Sequence, residues 1–199
     1  MNKSCLLCGV GGQGTVLASR LIADAAMKGN MHVRTAETIG MAQRGGCVVS
    51  HVRIGEEIHS SLIPKHSADV LIGFEPAEAV RNSDYIKPNG VIIVNQRAIA
   101  PVTASLTEMS YRAEEMLDYL KQLDARVVIL DGDQIMKQCG SSKVLNIALL
   151  GAAISTSELG ITLEEMKDAI KRRVPQKFHD MNFMALELGS MQREQSLTI

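Results

Sequence analysis

Six residues near the start of the chain have the spacing of a phosphate cradle. Gly9-Val10-Gly11-Gly12-Gln13-Gly14 matches G-x-G-x-x-G, directly after an apolar run and directly before a helical pattern. Glycines there let backbone N–H groups approach a phosphate, and the positive end of the following helix adds to the attraction. Gln13 offers further amide donors. A dinucleotide site also wants an acidic residue at the end of the second strand to hold a ribose. Glu37 is the candidate, placed just beyond that strand. The competing reading is a tight strand-to-helix turn that holds nothing.

A second loop, Gly40-Met41-Ala42-Gln43-Arg44-Gly45-Gly46, precedes the strand beginning at Cys47. Arg44 presents a rigid fork of donors suited to phosphate or carboxylate. With Gln43, Gly45 and Gly46 it is expected to meet the first loop at the carboxyl edge of a sheet and to accept an anion there. The remaining polar residues suggest less chemistry. Cys5 and Cys8 form a C-x-x-C, but residues three apart on a strand face opposite sides, and no second pair completes a four-thiolate site. The five histidines lack metal-ligand spacing, although His51 and His59 flank an expected hairpin. No serine sits in a nucleophile elbow. Glu75 follows an apolar strand and reads as a structural ion-pair partner of Arg81. Lys171-Arg172-Arg173 suits the negative end of a helix. No catalytic residue and no metal ligand is assigned.

These loops need a scaffold. Apolar runs at Ser4–Val10, Asp69–Phe74, Val91–Asn95 and Val127–Leu130 predict buried strands, and a second strand is expected over Met31–Thr35. Thr38–Gly46 reads as loop. Cys47–Ile54 is expected to form a hairpin with Glu57–Leu62 across a Gly55-Glu56 turn. Helices are predicted at Thr15–Lys28, Pro76–Asn82, Tyr111–Leu123, Lys143–Glu158 (under the sheet edge), Thr162–Arg173 and His179–Arg193. Thr162-Leu163-Glu164-Glu165 is a capping box. Asp131-Gly132-Asp133 reads as a strand-end turn. The pattern is α/β: a single Rossmann-like domain over 1–199, with a mostly parallel doubly wound sheet, a β-hairpin insertion and a helical C-terminal region.

The 199 residues are 46% hydrophobic and 22% charged, enough for one well-buried core. A formal net charge of −1 argues against nucleic-acid binding through bulk positive charge. Aromatics are 3% with no Trp, which argues against stacking platforms for single strands. The run Val144–Ile154, interrupted by Asn146, is too short to cross a bilayer. With no targeting segment in view, the chain reads as cytoplasmic, without a membrane partner.

The combined motifs resemble a known family. Gly9 to Gly14, Glu37 and the Met41-Ala42-Gln43-Arg44-Gly45-Gly46 loop before Val49-Ser50-His51-Val52-Arg53 are similar to the gamma-type domain of 2-oxoacid:ferredoxin oxidoreductases. The form of that loop is closest to the indolepyruvate branch, whose corresponding chain is its beta subunit. Further similarities run along the chain: Ala68-Asp69-Val70-Leu71; Gly73-Phe74-Glu75-Pro76 with Glu78 and Arg81; Asn146 with Leu149-Leu150-Gly151; and Asn182 with Ala185-Leu186-Glu187-Leu188-Gly189. One departure is Ile39, where the branch has His. A His serving the substrate or a proton step there would make this chain's complex act on another 2-oxoacid.

The resemblance implies a subunit that is inactive alone, in a complex that decarboxylates a 2-oxoacid oxidatively to an acyl-CoA. Thiamine diphosphate, Mg²⁺ and [4Fe-4S] clusters then belong to a larger partner subunit, and ferredoxin is reached through the complex. This chain holds none of them firmly; a contact to coenzyme A or a nucleotide is expected at the first glycine loop, and partner contact at Gln43–Gly46. Indolepyruvate or a related aryl pyruvate is the implied substrate. Pyruvate, 2-oxoglutarate and 2-oxoisovalerate complexes, a stand-alone nucleotide-binding oxidoreductase and a pure scaffold remain as alternatives.

Overall fold

The computed structural model describes residues 2–29, 31–39, 45–100 and 111–192. Its strands are β1 (Lys3–Val10), β2 (His32–Ile39), β3 (Cys47–Gly55), β4 (Ala68–Gly73), β5 (Ile86–Asn95) and β6 (Ala125–Leu130). They form one six-stranded sheet in the order β2-β3-β1-β4-β5-β6. The β1/β4, β4/β5 and β5/β6 ladders are parallel, and β3 alone runs against the rest.

Among the described residues the helices are α1 (Thr15–Lys28), α2 (Pro76–Arg81), α3 (Ala113–Lys121), α4 (Gly132–Cys139), α5 (Leu145–Ser155), α6 (Leu163–Arg173) and α7 (His179–Ser190). Helices cover both faces, which is why the middle stretches of the central strands, Cys5–Cys8, Val70–Ile72 and Val91–Val94, are apolar without alternation. Cys5 and Leu7 face the layer that contains α1, α5, α6 and α7, whereas Leu6 and Cys8 face α2 and α3. The two cysteines of C-x-x-C are therefore on opposite sides of the sheet. The predicted α/β architecture is what the chain adopts.

Several local expectations are corrected. β2 runs on to Ile39, so Glu37 and Thr38 are strand residues. β2 has the direction of β1, as a β-α-β unit requires, but β3 lies between them. Residues 57–62 form no strand. Both edges of β3 are already taken, by β2 on one side and β1 on the other, so the antiparallel hairpin is β2–β3. β5 starts earlier than Val91, at Ile86, with a register shift around Asn89, whose φ is +58°. Asp131 caps α4 by accepting the Gln134 N–H at 3.0 Å, so the expected strand-end turn opens a helix. α5 is buried all round, as a helix apolar on every side must be. It packs on β4, β5 and β6 and against α7, not under the sheet edge. The capping box of α6 is present: Thr162 and Glu165 exchange side-chain and backbone hydrogen bonds of 3.2 and 2.8 Å.

Instead of a strand, the segment after β3 is a strap tied down by side chains. Arg34 Nε donates to Ile58 O at 2.6 Å, and Arg53 Nη1 donates to Ser60 O at 3.1 Å. The Ile63 N–H donates to Nδ1 of buried His51 at 3.2 Å. That bond requires Nδ1 to be unprotonated, and burial holds the imidazole below its ordinary 6.5. The unfolded chain therefore takes up a proton that the native chain resists. The contribution is complete above pH 6.5 and is lost as pH falls through the lowered native value. Urea midpoints should drop more for the wild type than for His51→Gln between neutral pH and about pH 5. Equal drops would remove His51 as the cause.

Candidate functional site

The first glycine loop leaves β1 and turns into α1. Gly14 is the N-cap, with φ +84° and no side-chain cap, and a Cβ there would come within 2.9 Å of Asn146 Nδ2. The first N–H to bond back along the helix is Ala18, to Gly14 O at 3.0 Å. The N–H groups of Thr15, Val16 and Leu17 thus have no helical acceptor, and the positive end of α1 is open. Gly12 has φ +100° and open space where a Cβ would stand.

Gln13 does something other than present donors to a ligand. Its Oε1 accepts the Val10 N–H at 2.6 Å and its Nε2 donates to Phe74 O at 3.1 Å. The amide staples the loop to the end of β4. The second loop reaches the first through one bond, Gly11 N–H to Gly46 O at 2.8 Å. Gly45 and Gly46 are therefore beside the first loop, while Gln43 and Arg44 lie outside the described residues. Glu37 is exposed on β2, the outermost strand, paired across from Ser50 of β3. It does not join the glycine turn.

A cavity of about 630 Å³ opens beside Gly12, Gln13 and Gly14. Its other lining comes from far along the chain: Asn95 at the end of β5, Arg97 and Ile99 just after it, and Ser142, Lys143, Leu145 and Asn146 where α5 begins. Leu17 and Met136 complete the apolar part. Arg97 pairs with Asp133 at 3.0 Å, both well exposed. Asn95 is spent on structure, accepting the Gly132 N–H at 3.2 Å and donating to Phe74 O at 3.5 Å. The described lining has two cations and no carboxylate, so it favours an anion. Volumes of this order hold small-molecule ligands.

Sequence reasoning placed the glycine half of this cavity and missed the other half. Arg97 and Lys143 sit in stretches with no motif. Asn146 did leave a signal, as the one polar side chain in the apolar run Val144–Ile154.

A second polar cluster lies across the same edge. Glu75 is fully buried, and its Oε2 caps α2 by accepting the Glu78 N–H at 3.0 Å. Its Oε1 accepts the Ile99 N–H at 3.2 Å and the Tyr111 hydroxyl at 2.8 Å. The expected ion pair with Arg81 goes instead to Glu78, at 3.3 Å, because Glu75 is turned to the cap. Burial and the Glu75 contact hold the Tyr111 phenol above its usual range. Cys47 donates to Glu78 Oε2 at 2.8 Å, and burial followed by that bond pushes its thiol up to about 11. Burial raises Cys5, Cys8 and Cys139 too. All four thiols stay protonated at neutral pH and are poor nucleophiles. Among the described residues no three His, Cys, Asp or Glu side chains are grouped to hold a metal, and no helix is long and apolar enough to cross a membrane.

A doubly wound α/β domain with an anion-favouring crevice at the carboxyl edge is the class that fold and site define. Residues 4–192 match the family model of the pyruvate ferredoxin/flavodoxin oxidoreductases, and the chain belongs to that family. It is 36% identical over 190 residues to the indolepyruvate oxidoreductase subunit IorB of Archaeoglobus fulgidus, covering 95% of this chain and 94% of that one. The crystal structure of pyruvate oxidoreductase subunit PORC from Thermotoga maritima superposes with a TM-score of 0.74 at 22% identity, over 96% of both chains. The 2-oxoglutarate:ferredoxin oxidoreductase from Magnetococcus marinus, solved with 2-oxoglutarate, coenzyme A and succinyl-CoA bound, superposes with a TM-score of 0.71 at 20% identity. It covers 95% of this chain but only 30% of that one. The same fold thus occurs both as a separate subunit and as a minor part of a longer chain. The resemblance read from the glycine loops is borne out: the chain is a gamma/IorB-type subunit of the 2-oxoacid:ferredoxin oxidoreductase family.

Proposed function

We propose that this chain is the smaller subunit of a thiamine-dependent 2-oxoacid:ferredoxin oxidoreductase whose substrate is indolepyruvate or a related aryl pyruvate. What carries the reading is the near full-length match to an indolepyruvate oxidoreductase subunit. The complex releases carbon dioxide, passes two electrons to ferredoxin and transfers the acyl group to coenzyme A. This chain's residues do not fit cluster or thiamine chemistry. Cys5 and Cys8 are separated by the sheet, and among the described residues no three His, Cys, Asp or Glu side chains are grouped to hold a metal. Its own part is at the carboxyl edge, where the glycine turn, Lys143 and Arg97 receive the anionic end of coenzyme A as substrate. The larger partner subunit supplies thiamine diphosphate, Mg²⁺ and the clusters.

The purified chain, given thiamine diphosphate, Mg²⁺, coenzyme A and indolepyruvate, is expected to reduce viologen at no measurable rate. Co-expression with the large subunit should restore turnover, with indolepyruvate preferred over pyruvate. Turnover by the chain alone would sink the subunit reading. A restored complex preferring another 2-oxoacid would overturn the substrate and give Ile39 a role in the change.

A further inference from the structure

We propose that β2 is a docking strand: an extended, carboxylate-bearing segment of the larger partner subunit pairs with its outer edge and seats the carboxylate on Arg34. The inference rests on the subunit reading and places this contact away from the glycine turn. Arg34 stands across from Arg53, at the far end of β3 from Cys47, which pairs with Val10 beside that turn.

The first support is the edge itself. β2 is an end strand of the sheet, and its one ladder among the described residues is with β3. That ladder runs without a register shift from His32–Gly55 to Ile39–Val48. The N–H and C=O groups on the other side of β2 therefore form a straight, unpaired row. Short length, a proline, a bulge or a covering element normally blunts such an edge. β2 has eight residues, no proline and no bulge. β6, the other end strand, has no exposed residue, whereas His32, Arg34, Thr35, Glu37 and Thr38 are all exposed.

The second support is charge. Arg34 and Arg53 lie directly opposite each other on one face of the ladder, where like charges repel. Neither has an ion-pair partner among the described residues. Their donors go to strap carbonyls alone: Arg34 Nε to Ile58 O, and Arg53 Nη1 to Ser60 O at 3.1 Å and Leu62 O at 3.4 Å. Arg53 Nε is buried without an acceptor. A charge that only blunts an edge needs no fixed direction. Arg34 is pinned at Nε and leaves Nη1 and Nη2, the end of its fork, without an acceptor among the described residues. That end fits a carboxylate through two parallel bonds, and the added negative charge relieves the repulsion between the two cations. The same charges select the partner. A second copy of β2, paired antiparallel, would bring a second Arg34 to the same face, where His32, Ala36 and Thr38 offer no carboxylate. Strand addition supplies the main-chain bonds, and the side-chain pair supplies the specificity.

The test measures the affinity of the purified full chain for the separately purified large subunit, and reads amide exchange of the chain in the free and bound states. Exchange over residues 32–39 is expected to slow in the complex and to be independent of concentration in the isolated chain. Arg34→Ala should weaken the complex by about tenfold, the scale of one charge-assisted contact. Arg34→Lys, a cation without the fork, should fall between that variant and wild type. Added salt should weaken the wild-type complex more than the Arg34→Ala complex. Lys121→Ala, on α3 beside the other edge, should leave affinity unaltered. The exchange measurement needs no variant, so it decides the matter even if Arg34→Ala does not fold. Unslowed exchange over 32–39 in a formed complex overturns the proposal and leaves the subunit reading standing, and so does full affinity in Arg34→Ala. Slowing in the isolated chain as its concentration rises would give the edge to a second copy and overturn the choice of partner. No complex with the wild-type chain overturns both readings together.

Discussion

Gly189→Ala is expected to destabilise the fold by about 2 kcal/mol, although alanine is the better helix former. Gly189 of α7 faces α5, where an added methyl would collide with the Ala148 carbonyl, whose carbon lies 2.7 Å from the methyl position. Gly151 of α5 stands in the reciprocal position, and its methyl would strike the Leu186 carbonyl. Both obstacles are backbone and cannot swing aside as a side chain would. The helices would have to separate, undoing the contact among Ala148, Ala152, Ala185 and Leu186, all fully buried. Helix propensity returns about 1 kcal/mol, while overpacking of this kind costs about 3 kcal/mol. Since one separation relieves both clashes, Gly151→Ala/Gly189→Ala should fall short of the sum of the single changes. Urea unfolding measures all three; a rise in midpoint for Gly189→Ala would show that the helices do not touch this closely.

That pair shows what the sequence could and could not say. Gly151 and Gly189 were visible in the resemblance to a family, but nothing local explained them. Each glycine answers to a carbonyl on a helix far away in sequence. The strands were legible for the opposite reason: a run such as Val-Leu-Ile reports burial on both faces directly. α1 and α6 were legible from their end signals, Gly29 and the Thr162 box. The expected hairpin at residues 57–62 failed because pairing is a property of edges, and no local pattern reveals that β2 and β1 already flank β3. The strap that took its place is held by Arg34, Arg53 and His51, side chains with no strand or turn signature.

The candidate site divides the same way. Gly12 and Gly14 were legible, since positive φ at a strand-to-helix turn leaves its mark as glycine. Gln13 was visible but misleading: an amide in a phosphate-type loop invites a ligand role, whereas both its ends are hydrogen-bonded within the fold. Glu37 had the separation of a ribose ligand, but the inserted β3 moves it two strands from the turn. Arg97 and Lys143 became site residues only when β5 and α5 ended beside α1.

The largest single-residue effect is expected at Glu75. Glu75→Ala removes the acceptor of three donors at once: the Glu78 N–H, the Ile99 N–H and the Tyr111 hydroxyl. The Glu78 amide is buried and cannot turn to water, while Ile99 and the partly buried Tyr111 recover some solvation. Counting about 1–3 kcal/mol per orphaned donor and discounting the two partly solvated ones gives a loss of about 4 kcal/mol. Glu75→Gln keeps the volume and one good acceptor but turns an NH₂ toward a donor, so about half that loss is expected. Tyr111→Phe deletes one bond at a partly solvated place and should cost about 1 kcal/mol. The order Ala, Gln, then Phe at position 111 is the informative outcome, since desolvation alone would make the neutral Gln the more stable side chain in this buried place. The consequence reaches the cavity, because the same carboxylate oxygen fixes the Ile99 backbone that forms part of its wall. Glu75→Gln should therefore weaken coenzyme A binding by the restored complex as well as lower the urea midpoint of the chain, while Tyr111→Phe lowers the midpoint slightly. A Glu75→Ala protein within about 0.5 kcal/mol of wild type would mean that the carboxylate holds neither the cap nor the cavity wall.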